Sequence, residues 1–140
     1  MQAAFSLIFG VVMSANVVAL ESHQAFVGGL RAFEAGDYET AAALMKTALE
    51  SEPACARCAH VQGKSYGRMA ERAGWGDAIG LAKKTRLALE QAVELDPYDT
   101  DAIRDLIEYY RKAPGFLGGS KRKAEALEKR LQRFGVDQTS

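Results

Sequence analysis

Charge is missing from the start of this chain: no acidic or basic side chain occurs in its first twenty residues. Histidine is scarce throughout, with only His23 and His60 among 140 residues. Two histidines offer no Ser-His-Asp arrangement. No carboxylates fall at a spacing that suggests a paired acid and base. Proline occurs three times, at Pro53, Pro97 and Pro114, and no strand-like alternation of any length lies between them. That excludes a sheet as the builder of the core. Net charge is absent as well, because 18 basic side chains balance 18 acidic ones, so global electrostatics single out no partner. The chain is therefore expected not to be an enzyme, and no cofactor is expected.

What is present is an apolar leader followed by helical patterning. Ala3 to Leu20 is continuously apolar or small apart from Ser6, Ser14 and Asn16. With Val17-Val18-Ala19 behind it, this stretch resembles a secretory signal that a peptidase would cut after Ala19. Only the α-amino group supplies positive charge in front. The alternative is an uncleaved anchor, since the run is about long enough to span a bilayer. No cysteine follows it closely, which argues against a lipoprotein signal. The expected organisation is a signal peptide or anchor over 1–19, a helical domain over 20–136 and a disordered tail over 137–140. The expected address is periplasmic or secreted, or membrane-anchored through residues 3–20.

Beyond the leader the apolar residues recur at helical spacing. Phe26, Leu30 and Phe33 form one stripe, broken by Gly36-Asp37, and Ala41, Leu44, Ala48 and Leu49 form a second that stops before Pro53. A third helix is predicted from about Cys55 to Arg72, then a turn at Gly74-Trp75-Gly76, then a fourth helix from about Asp77 to Leu95. Asp99 or Thr100 can cap a fifth helix carrying Ile103, Leu106, Ile107 and Tyr110. Ser120 can cap a sixth carrying Ala124, Leu127 and Leu131. The class is all-α, in three helical pairs.

Gly29, Gly36-Asp37-Tyr38, Ala41, Ala48 and Glu52-Pro53 resemble a tetratricopeptide repeat, and Gly63, Tyr66 and Ala92-Val93-Glu94-Leu95-Asp96-Pro97 resemble a second. Leu106, Tyr110 and Lys123-Ala124 suggest a third. In such repeats small residues let neighbouring helices approach, large ones fill the gaps, and proline ends one pair before the next begins. The resemblance covers about residues 22 to 134 and implies a short right-handed α-solenoid. Two departures stand out. Gly63 and Pro97 lie 34 positions apart, where a standard repeat has about 24, so the middle pair is expected to be extended with Trp75 at its tip. A longer loop, Ala113 to Gly119, replaces the last short turn. The resemblance implies a binding scaffold and names no ligand.

Several residues carry candidate chemistry. Cys55 and Cys58 form a Cys-x-x-Cys at a helix start, where a disulfide, packing thiols, and redox or metal chemistry are all open readings. A haem attachment is excluded because Ala59 follows Cys58, and a closed zinc site lacks a fourth ligand beyond His60. Gly118-Gly119-Ser120-Lys121 has the wrong order for a phosphate loop and is read as a turn with a capping serine. Arg57, His60, Lys64 and Arg68 follow steps of three, four and four, which puts them on one helix face. By the repeat resemblance that face, with Arg104, lines the concave groove and suits a carboxylate, a phosphate or an acidic peptide. The alternative is a solvated helix surface. Trp75 is either an exposed anchor or folded back onto its own helices.

These readings lead to a noncatalytic adaptor of the cell envelope that binds a protein or peptide, with no nucleic acid and no membrane contact beyond an uncut leader. The alternative is a self-associating or structural subunit. It rests on six acids against two bases between Glu21 and Pro53, and eight bases against two acids from Arg111 to Arg133. A thiol-dependent redox or metal-binding protein is the third reading.

Overall fold

The computed structural model describes the backbone of residues 2–137 and the side chains of residues 15–135. Its elements are α1 (Gln2–Glu34), α2 (Tyr38–Ser51), α3 (Ala56–Arg72), α4 (Trp75–Leu95), α5 (Thr100–Lys112), a 3-10 turn (Gly115–Leu117) and α6 (Lys121–Asp137). Each helix packs against its neighbours in sequence. Among the described residues the protein is all-α, with six helices in sequential pairs. The tail expected at 137–140 lies outside the described residues apart from the backbone of Asp137, which ends α6. Most of the leader's side chains, those of residues 3–14, also lie outside them. Among the described residues no helix is long and apolar enough to cross a membrane.

Local chemistry sets the boundaries. Gly36 has φ of 79°, which only glycine adopts readily, and this lets the Asp37 N–H return to the Ala32 carbonyl at 2.9 Å and stop α1. The Asp37 carboxylate then accepts the Thr40 N–H at 3.1 Å and starts α2. Asp99, rather than Thr100, caps α5 by accepting the N–H groups of Asp101 and Ala102 at 3.0 and 3.1 Å. Ser120 Oγ accepts from the Lys123 N–H at 3.3 Å at the start of α6. One boundary differs from expectation. Gly74 is the cap and Trp75 already belongs to α4, because the Gly74 carbonyl accepts the Ala78 N–H at 2.9 Å.

The core has two linked parts. Ala25, Met45, Ala48, Cys58 and Val61 join α1, α2 and α3, while Ala59, Leu89, Ala92, Ile103, Leu106 and Ala124 join α3 to α6. Leu49 touches both. Small residues make the seams. A Cβ on Gly29 would lie 2.8 Å from Met45 Cε, and one on Gly63 would lie 3.0 Å from the Leu89 side chain and 3.2 Å from its backbone nitrogen. Met45 is fully buried in the space α1 concedes; side chains of its size contribute about 1.5–3 kcal/mol each when removed from water. After α1, α4 is the longest helix at 21 residues; α3 has 17, as α6 does, against 14 in α2 and 13 in α5. At their joint Arg72 reaches back, stacking 4.6 Å from the Tyr38 ring and donating to the Gly36 carbonyl at 3.3 Å. Trp75 is 82% exposed there, not folded back onto the helices.

Candidate functional site

Helices α1, α3 and α5 contribute to one face. Arg57 lies 5.5 Å from the Phe26 ring and Lys64 5.2 Å from the Phe33 ring, so two α3 cations rest on two α1 aromatics. Such contacts are worth about 0.5–1 kcal/mol at exposed sites, and here they orient long side chains that would otherwise sweep freely. From α3 to α5 the link is His60, whose Nε2 sits 2.6 Å from an Asp105 carboxylate oxygen. Its Nδ1 is 3.9 Å from Asp99, the residue that caps α5.

His60 thus differs from its expected place. It is 8% exposed, a strut between α3 and α5, while Arg57, Lys64, Arg68 and Arg104 are exposed. The helical wheel explains the difference: His60 lies about 60° round from Arg57, on the edge that α5 covers. Two of the cations are already engaged within their own helices, Arg68 with Glu71 at 3.1 Å and Arg104 with Asp101 at 3.3 Å. The hydrogen bond that Arg68 donates to Glu71 raises the Arg68 pKa, and the one that Lys112 donates to Glu108 raises that of Lys112. Both pairs are solvent-exposed, where screening leaves such contacts little net stabilisation.

Beyond the His60–Asp105 contact, α3 and α5 leave a wedge of about 360 Å³. Gly63, Gly67, Thr85 and Leu89 are among its lining, with Lys64 and Arg68 from α3 and Asp105, Glu108 and Lys112 from α5. The wedge has a largely apolar lining and charges of both signs. Bare glycine backbone contributes because α3 must come close to α4, so the residues that tighten the hairpin also open its outer face.

Cys55 and Cys58 are joined by a disulfide across the first turn of α3. Cys55 is the helix cap, its Sγ accepting the Cys58 N–H at 3.2 Å. Beside it lies a cleft of about 250 Å³ that includes His23, Phe26 and Glu52. Among the described residues no group of three or more His, Cys, Asp or Glu side chains is placed to hold a metal ion.

The glycines before α6 turn inward rather than toward a ligand. The Gly118 N–H donates to Gly115, the Gly119 N–H to Pro114 and the Ser120 N–H to Tyr110, all to backbone carbonyls. These donors are spent inside the fold, so they form no anion cradle. Beneath the loop, Tyr110 donates to Glu90 at 2.7 Å, and Arg86 reaches both Glu90 oxygens at 3.2 Å. Tyr109 donates to the Leu117 carbonyl at 2.8 Å, fastening the loop to α5. Burial and the Glu90 carboxylate hold the Tyr110 phenol protonated well above its usual range. No sequence pattern pointed to this network as a whole: Arg86 and Glu90 stand one turn apart on α4, but Tyr110 joins them from α5.

The fold and face define an all-helical protein of sequential pairs with an open, mixed-charge surface. No protein-family profile matches the chain, and no curated protein matches it in sequence.

Proposed function

We propose that this chain is a noncatalytic adaptor of the cell envelope, a short tetratricopeptide-like solenoid that holds a peptide segment of another protein in the trough along α1, α3 and α5. The observation that carries this reading is the wedge between α3 and α5, with its apolar lining, its glycine backbone and cations standing on its α3 rim. The glycine and alanine seams support the solenoid reading, since they occupy the places where that repeat requires small residues. The ligand-facing set is Arg57, Lys64, Arg68 and Arg104, with His60 beneath them as a strut. An acidic stretch of the bound peptide meets the α3 rim, where exposed cations form charge-assisted hydrogen bonds to carboxylates.

The test is charge reversal on that rim. Binding of envelope partners to the tagged full chain is compared with binding to the Arg57→Glu, Lys64→Glu, Arg68→Glu triple variant, with helicity followed by circular dichroism. Loss of the bound partner at unchanged helicity supports the trough. Unchanged capture removes it.

A second reading, self-association, is favoured by the exposed Trp75, Tyr98 and Phe116 together with the acidic and basic ends. Large exposed aromatics suit an interface. Light scattering at low and high salt separates the two readings, since a monomer at every concentration eliminates the second.

A further inference from the structure

We propose that the Cys55–Cys58 disulfide is a thiol–disulfide exchange site that takes two electrons from a dithiol on a partner protein. Four observations converge on it. Cys55 caps α3, a helix of 17 residues, and its sulfur accepts the Cys58 N–H at 3.2 Å. The partial positive charge of a helix start and a donated N–H both favour sulfur as the thiolate. Cys58 is 1% exposed, whereas Cys55 is only half-buried, so an incoming thiolate reaches one sulfur of the bond and not the other. The cleft of about 250 Å³ adjoins Cys55 and is lined by Ala19, Ser22, His23, Phe26 and Glu52, which gives a partner segment somewhere to lie. Finally, the bond spans a sequence separation of only 3 within a turn that the helix already fixes. A cross-link closing so short a loop removes little entropy from the unfolded chain, so stapling the fold is a weak reason for it.

The exchange balances without any further reagent. A partner thiolate bonds to Cys55 Sγ, the Cys55–Cys58 bond breaks, and the electron pair leaves on Cys58, which takes up a proton. The partner's second thiolate then bonds to the partner sulfur held by Cys55. That mixed disulfide breaks, and Cys55 leaves as a thiolate held by the Cys58 N–H. The partner is oxidised from dithiol to disulfide and gives up two protons: one goes to Cys58, now a thiol, and the other to solvent, because Cys55 remains a thiolate.

The test uses the oxidised full-length protein and a synthetic peptide carrying two thiols. The expected result is one equivalent of peptide disulfide per protein, with helicity retained. A disulfide that excess dithiol peptide opens only after denaturation overturns the proposal. The variants assign the entry point: with the peptide supplied as its disulfide, Cys58→Ser traps a mixed disulfide at Cys55, and Cys55→Ser traps about tenfold less, as buried thiols react slowly. Equal trapping by the two variants contradicts attack from the cleft.

Discussion

The imidazole of His60 and the carboxylate of Asp105, 2.6 Å apart, tie the third helix to the fifth across the face that the first, third and fifth helices share. Because the imidazole is buried, removing its partner leaves a desolvated polar ring. Asp105→Ala is expected to cost about 1–2 kcal/mol in chemical denaturation, the lower part of the range for such a loss because Asp105 is itself partly exposed. Arg104→Ala, one residue away but on the surface, is expected to stay within about 0.5 kcal/mol.

Glycines on the hairpin seams and glycines facing solvent should respond in opposite directions. Gly63→Ala forces a methyl against the Leu89 side chain and backbone and is expected to destabilise by about 1–3 kcal/mol. Gly80 lies inside α4 with open space around it, so Gly80→Ala is expected to stabilise by about 0.4–1 kcal/mol. Thermal melting of the two variants beside the parent chain reads both signs at once.

The loop before α6 offers a sharper case. A Cβ on Gly119 would lie 1.7 Å from the Ala113 carbonyl oxygen, so no alanine fits without moving backbone. Gly119→Ala is expected to destabilise by about 3 kcal/mol, the upper end for overpacking, and to expose the α5–α6 contact to hydrogen exchange.

Tyr110 contributes to the alkaline limb of stability, beside Tyr66 and Tyr109, whose pKa values burial also raises. Burial raises the Tyr110 pKa most, and the hydrogen bond to Glu90 adds to the rise. A phenol protonated in the fold but ionising near pH 10 when unfolded contributes fully below about pH 10. Above that the unfolded chain releases its proton first, and stability falls until the folded phenol ionises too. At pH 11 the parent is expected to have lost about 1 kcal/mol from this group. Tyr110→Phe, less stable at neutral pH, should show a shallower alkaline decline in urea midpoints.

Much of the fold was legible because its signals are local. Gly36-Asp37, Pro53, Asp99 and Ser120 each act within a few residues of where they stand, and the alanines and glycines recur with the helical period. The glycines on both sides of Trp75 suggest a turn that would leave it two residues outside the helix, yet the first turn of α4 tolerates them. The spacing groups His60 with its exposed neighbours because a stripe on one helix does not say which of its edges another helix will cover. Asp105 as the partner of His60, and Tyr110 as the partner of Glu90, stay invisible in the sequence, since these contacts join separate helices at distances the chain order does not encode.

The proposed trough is best probed by placing a photo-crosslinking residue in the living cell at position 64 or 68, on the α3 rim, and at position 87, exposed on α4. A bound peptide segment predicts crosslinks to one partner from 64 and 68 and none from 87. Crosslinks from 87 alone, or equally from all three, would contradict binding along α1, α3 and α5.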